Sequence, residues 1–144
     1  MRTGIGIGGA ASGRSRDFEP VARFAVEAEK LGVDAAWSAE AWGQDGVAPL
    51  AFIAARTTKL LLGTGILQIS ARTPSMTAMT ALTLAALSKD RFILGLGASG
   101  PQVVEGLQGQ SFARPLQRMR ETVEIVRMAL RGGCAPDGRR RARA

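Results

Sequence analysis

Glu40 stands just past an apolar run, Val33 to Ser38, with Trp37 before it and Trp42 after it. A partly buried carboxylate at the end of a strand is suited to acid or base work. A solvated loop acid or a hydrogen-bond acceptor explains the position equally well, so Glu40 is a candidate catalytic residue on position alone. Two further stretches invite chemistry. Lys59 to Leu67 is apolar and breaks into Gly63-Thr64-Gly65, and Arg91 to Gly97 is apolar and runs on into Ala98-Ser99-Gly100. Glycines at strand ends let a ligand approach the backbone. The spacing G-x-G-x-x-G occurs at Gly4, Gly6 and Gly9, where too few residues precede it for a strand, and at Gly95, Gly97 and Gly100. A dinucleotide-binding Rossmann site needs an acid on a second strand about 20 residues further on. Glu121 has that spacing but sits in a helix-patterned segment, which disfavours the fingerprint and leaves a tight turn as the plain alternative. Thr64, Gln68 and Ser70 either line a pocket or satisfy backbone groups.

What is missing narrows the chemistry. There is no histidine, so His-based triads, His metal sites and His general bases are excluded. Cys134 is alone, which excludes an intramolecular disulfide and a multi-cysteine zinc site; no metal centre is expected. Other charged residues read as structural. Asp34 and Asp45 suit turns and caps, and Lys89-Asp90-Arg91 suits a surface turn. Arg118/Glu121 and Arg120/Glu124 are spaced for pairing on a helix surface.

The elements that position these groups alternate. Thr3 to Gly8 reads as a first strand. Asp17 caps a helix with Val21, Phe24, Ala25, Ala28 and Leu31 at helical spacing, ended by Gly32. Val33 to Ser38 is a second strand, and Asp45 caps a helix through Arg56. Lys59 to Leu67 is a third strand. Thr73-Pro74 starts a helix to about Ser88, with Met76, Met79, Leu82 and Ala86 on a stripe assigned to the core. Arg91 to Gly97 is a fourth strand. A helical turn from Pro101 to Leu107 follows, and then a helix from Pro115 with Leu116, Met119, Val123, Val126 and Leu130 on one stripe. Apolar runs without alternation suit strands buried on both faces of a parallel sheet, and βαβα order predicts an α/β fold. The options are a (β/α)8 TIM barrel or a doubly wound sheet. At 144 residues, four strands make about half of a barrel of roughly 250 residues.

Apolar residues make up 46% of the chain, enough for a core. No stretch approaches a membrane span, and no signal-peptide core stands at the start, so a cytoplasmic protein is expected. The net charge is +7, of which four arginines against Asp137 in residues 134–144 account for three units. That cluster has no interleaved aromatics, so neither nucleic acid nor membrane is an expected partner. Residues 134–144 lack periodicity and read as a disordered, non-native basic tail of the kind a frameshift or early stop produces.

Leu62-Gly-Thr-Gly-Ile-Leu-Gln-Ile-Ser-Ala-Arg-Thr-Pro74 resembles the third strand and following loop of the bacterial-luciferase-like oxidoreductases. Ser88 to Gly106 is similar to the fourth strand of the subgroup using the deazaflavin coenzyme F420, and Asp34 to Gly43 resembles the second strand and its functional end. The likeness covers nearly all of residues 3–131, so residues 1–133 are taken as a partial barrel domain and 134–144 as outside it. The resemblance implies a TIM barrel that binds the deazaflavin, or alternatively FMN, at the C-terminal ends of its strands. It implies a non-proline cis peptide, here at Gly65-Ile66, packed behind the ring. It places Ala98, Ser99 and Gly100 along the ring edge, with Gly8 and Ser38 near the pocket floor. Hydride transfer to or from a small organic substrate would be the cofactor's chemistry, and full-length members are expected to be homodimers. Many members carry a histidine after the strand-two acid. Here that position is Ala41, which leaves proton transfer to Glu40, to water, or to nothing. The later strands of the family are missing, so the implied protein is a truncated oxidoreductase, inactive alone. The alternatives are a non-catalytic, self-associating half-barrel and, more weakly, the Rossmann domain.

Overall fold

The computed structural model describes residues 1–7, 17–40 and 43–132. Gly8, Ala41, Trp42, Cys134 and the basic tail therefore lie outside the described residues. The chain divides into two compact units. One comprises residues 1–68 and 83–97, the other 69–82 and 98–144.

The first unit is a parallel sheet with helices on one face. Strands β1 (Gly4–Gly6), β2 (Ala35–Ser38), β3 (Leu61–Thr64) and β5 (Phe92–Ile93) pair in that order, all parallel. Spatial order follows chain order, without the reversal that creates the switch point of a doubly wound sheet. This is the ordering of consecutive barrel strands. The register makes Ile5, Ala36, Leu62 and Phe92 one row across the sheet. That row packs into the core with Ala25 of α1 (Glu19–Lys30), Leu50 and Ile53 of α2 (Ala48–Ala54), and Leu84. The neighbouring row, Gly6, Trp37, Gly63 and Ile93, faces the other way. There the Trp37 ring lies flat over its neighbours. A Cβ on Gly63 would come within 2.3 Å of the ring and one on Gly4 within 3.0 Å. Only glycine at 63 admits the indole.

The third and fourth strands expected from sequence are each interrupted. Lys59 to Leu67 becomes β3 and β4 (Leu67–Gln68), separated by the cis Gly65-Ile66 peptide. Arg91 to Gly97 becomes β5 and β6 (Leu96–Gly97), and β4 pairs with β6 in a small second sheet. Thr64 bridges the break. Its hydroxyl donates to the Gly95 carbonyl and accepts from the Gly95 N–H, both at 2.9 Å. A Cβ on Gly95 would stand 2.0 Å from the Thr64 carbonyl oxygen.

The helix starts are corrected by one or two residues: the N-caps of α1 and α2 are Phe18 and Val47, and Asp17 and Asp45 stand before them. Asp17 still accepts from the Glu19 N–H and Asp45 from the N–H groups of Val47 and Ala48, while Thr73 accepts from Met76 as expected. Phe18 and Phe52 meet edge to face, and the Arg56 guanidinium sits 3.5 Å over the Phe52 ring. Arg56 also pairs with Glu19 at 2.8 Å.

The apolar stripes are corrected by the packing. In α1 the buried residues are Ala22, Ala25 and Ala28, while Phe24 and Leu31 are exposed. Small side chains let the helix sit close to the sheet and turn the larger ones outward. Helix α3 (Pro74–Ser88) buries Thr77, Ala78, Ala81, Leu84 and Ser88 and exposes Met76, Met79 and Leu82. The stripe assigned to its core faces out. Arg91, expected in a surface turn, is buried. Its Nε donates to the Ser88 carbonyl and its two terminal nitrogens donate to the carbonyls of Ala54, Thr57 and Leu60 and to the Thr57 hydroxyl, at 2.7–3.1 Å. All five guanidinium N–H groups are thereby used. Lys89 and Asp90 do form the expected exposed turn, with φ of 55° and 61°.

The second unit contains the N-terminal part of α3, the short α4 (Pro101–Val104) and α5 (Pro115–Leu130). Helix α5 buries Thr122 and Val126, whereas Leu116 and Leu130 at the ends of its expected stripe are exposed. Among the described residues no helix is long and apolar enough to cross a membrane.

Candidate functional site

The C-terminal ends of β2 and β3 bring together Ser38, Glu40, Gly65, Ile66 and Gln68. Parallel pairing aligns these ends, because strands running the same way finish on the same edge. The Gly65 N–H donates to the Ser38 carbonyl at 2.7 Å, and the Ile66 carbonyl accepts from the Glu40 N–H at 3.4 Å. The cis Gly65-Ile66 bond, between β3 and β4, is thus hydrogen-bonded to the end of β2, at the position expected from the resemblance. Gly65 is exposed, and a Cβ there would meet nothing closer than 3.7 Å, so its backbone is open to an approaching group. Ile66 packs on Gly97, where a Cβ would fall 2.6 Å from its side chain. Ser38 is 1% exposed, yet its hydroxyl has no hydrogen-bond partner among the described residues. A buried hydroxyl ordinarily finds one.

Glu40 is engaged by its own loop. One carboxylate oxygen accepts from the Gly46 N–H at 3.1 Å and the other from the Gln68 N–H at 3.4 Å, while the Gln68 side chain donates to the Glu40 carbonyl at 2.9 Å. A Cβ on Gly46 would touch the Glu40 side chain at 3.2 Å and come within 3.7 Å of the Ser38 hydroxyl. This cluster ties the β2–α2 loop to β4. Gln68, offered from sequence as a pocket or backbone-satisfying residue, here does the second.

The glycines of the G-x-G-x-x-G pattern serve strand contacts. Gly95 meets the Thr64 carbonyl and Gly97 meets Ile66, and the helix after Gly100 has four residues. Glu121, the acid that pattern would need, lies on α5. Ala98, Ser99 and Gly100 belong to the second unit. Ser99 adopts a left-handed φ of 59°, and the Gly100 carbonyl accepts from Val103 and Val104 to start α4.

Sequence reasoning missed Glu29. Near the end of α1, it accepts from the N–H groups of Thr58, Lys59 and Leu60 at 2.6–2.9 Å. Burial alone would raise its pKa, but the three amides, helped by the Arg91 charge, outweigh that and hold the carboxyl below its ordinary value. Only the fold brings residues 29 and 58–60 together, and no local pattern announces it.

Residues 2–143 match the luciferase-like monooxygenase family, so the match continues past residue 133 into the basic stretch. A Mycobacterium tuberculosis protein named, provisionally, as a coenzyme F420-dependent oxidoreductase is 54% identical over 106 residues, which is 74% of this chain and 30% of that protein. An F420-dependent glucose-6-phosphate dehydrogenase of Kineococcus radiotolerans is 35% identical, over 79% of this chain and 37% of its own length. The crystal structure of the monooxygenase RslO1 from Streptomyces bottropensis superposes with a TM-score of 0.78 at 27% identity, covering 89% of this chain and 42% of that one. The F420-dependent tetrahydromethanopterin reductase of Methanopyrus kandleri shares the fold, with a TM-score of 0.77 at 23% identity. The chain spans about a third of the length of the curated relatives it matches. The parallel strand order, the cis peptide at Gly65-Ile66 and the match over residues 2–143 agree: the chain belongs to the luciferase-like monooxygenase family.

Proposed function

We propose that this chain carries the N-terminal half of the cofactor site of a deazaflavin-dependent oxidoreductase, with FMN as the alternative cofactor. One observation carries the reading. At the strand ends, an exposed glycine backbone at Gly65 lies hydrogen-bonded to the strand of Ser38, whose buried hydroxyl lacks a partner among the described residues. An open backbone beside an unsatisfied hydroxyl fits a planar polar ring better than it fits solvent or core. Gly65, Ile66 and Ser38 would hold the ring. Ala98, Ser99, Gly100 and Gly8 stay in the proposal on the resemblance alone. The cofactor, when bound, supplies hydride transfer to or from a small organic substrate. Relatives support the deazaflavin first, since both proteins matched by sequence above are named for coenzyme F420. Glu40 is the proposed proton-handling group, and its grip on Gly46 and Gln68 gives it a second duty in shaping the loop.

Titrating the purified chain with the deazaflavin and with FMN tests this reading. A saturable fluorescence change is expected, tighter with the deazaflavin, and Ser38→Val is expected to weaken it. No saturable change with either would overturn retained binding. Turnover is not expected from this chain by itself. A second reading, self-association of the half-barrel as a dimer, is favoured by the exposed Met76, Met79 and Leu82 on α3.

A further inference from the structure

We propose that Trp37 is a positioning residue, its indole forming the floor of the strand-end site and setting how deep a planar ring sits there. The inference rests on the ring-binding reading above and names the side chain that decides the fit. Side chains alternate along a strand, so Gly6, Trp37, Gly63 and Ile93 form one row on the face turned away from the helices, and Gly65 follows Gly63 on that face. Gly63 has no side chain, and the indole takes its space: a Cβ there would collide with Cζ3 and Cε3 of the six-membered ring. At the other end of the indole, a Cβ on Gly4 would stand 3.0 Å from Nε1. One side chain thereby covers three adjacent strands. It leans toward their N-terminal ends. Gly6, directly opposite Trp37 in register, would have nothing within 4 Å of a Cβ, whereas Gly4, two residues earlier, lies under the pyrrole edge. On the β3 side, Gly65 is exposed, and a Cβ there would meet only the Trp37 side chain, at 3.7 Å from Cε3. The exposed backbones of Gly6 and Gly65 therefore border open space at the C-terminal strand ends, and the indole closes that space from below. Trp37 keeps 37% of its surface exposed, which leaves part of it for a further group. An indole edge or face is a favourable neighbour for a planar aromatic ring. Wedged over backbone on both flanks, this one has little rotamer freedom left to lose when the ring arrives.

The test uses the full chain and its variants Trp37→Phe, Trp37→Leu and Gly6→Val. Each is titrated with the deazaflavin and with FMN, and the fluorescence lifetime of the bound ring is read at saturation. An excited flavin-type ring in contact with an indole takes an electron from it, which then returns, and the emission is cut short. A phenyl or aliphatic side chain does not do this. Both Trp37 variants are therefore expected to lengthen the lifetime of the bound ring. Trp37→Leu should weaken binding about tenfold, and Trp37→Phe by no more than about threefold, because a phenyl ring keeps a flat floor. Gly6→Val, which puts a side chain into the open space, should weaken binding while leaving the thermal midpoint close to wild type. Weaker binding in the Trp37 variants with an unchanged lifetime would make Trp37 a purely structural residue and overturn the proposal. Trp37 variants that bind and emit as the wild type does overturn it as well, and leave the ring reading standing. If Trp37→Leu does not fold, the lifetime in Trp37→Phe decides by itself. No saturable binding of either cofactor by the wild type overturns the ring reading and this proposal together.

Discussion

Arg91 and Glu29 show how single side chains hold the strand ends in place. Arg91 gathers carbonyls near the ends of α2 and α3 and at the start of β3, which a helix terminus otherwise leaves unpaired. Charged hydrogen bonds of this kind contribute roughly 1.5–3 kcal/mol each, and stranding buried carbonyls costs about 1–3 kcal/mol more. Arg91→Ala is therefore expected to lower stability by at least about 3 kcal/mol, read from the urea midpoint. Arg91→Lys should recover only part, since an ammonium cannot span four carbonyls. Glu29 has a lowered folded pKa, so its contribution is present above the ordinary carboxyl value of 4.5 and is lost as pH falls through the folded value. The stability difference between wild type and Glu29→Ala should be full at neutral pH and shrink in acid. A difference that stays constant from pH 7 to pH 3 would refute the assignment. Neither residue was legible in sequence. Arg91 sits beside Lys89 and Asp90, which do lie at the surface, and nothing local distinguishes it from them.

At the scale of elements, the glycines divide into those that a neighbour requires and those that nothing does. Gly95 lies against the Thr64 carbonyl, so Gly95→Ala forces backbone apart and should cost about 2–4 kcal/mol, with loss of the β4–β6 pairing. A Cβ on Gly6 would have nothing within 4 Å, and Gly6→Ala should change stability by no more than about 1 kcal/mol. Thermal denaturation of the two variants side by side decides this. An equal effect would show that the close approach at Gly95 is not what demands glycine. The alternation of elements, the side chains that bond their helix starts and the strand-ending glycines were all readable, because turns and apolar runs are local. The interruption of two strands was not readable, since it depends on how Thr64 and Gly95 meet across the sheet; the family resemblance supplied only the cis peptide at Gly65-Ile66. The helix faces were read wrongly for α3 because its apolar residues surround the whole helix, and periodicity cannot then say which side meets the sheet.

For the whole molecule, the outward face of α3 has the largest consequence. Met76, Met79, Leu82 and Leu87 are each about half exposed or more, on a helix without a charged residue. Surfaces of this kind mark contacts. If a second copy covers the face, Met79→Glu should shift the chain toward monomer in sedimentation velocity without changing its helical content. An unchanged sedimentation profile would remove α3 from the interface. The sequence by itself determined the α/β class, the order of the elements and, through its motifs, the family and the position of the cis peptide. These follow from residue types and short spacings, which the folded neighbours do not alter. Tertiary structure alone decided that Glu40 is tied to Gly46 and Gln68, that Arg91 is buried, that Ser38 is left with an unpaired hydroxyl among the described residues, and that Arg72 and Arg118 share a cavity. Each of these depends on residues far apart in the chain meeting in space, and only the packing of helices and strands brings them together.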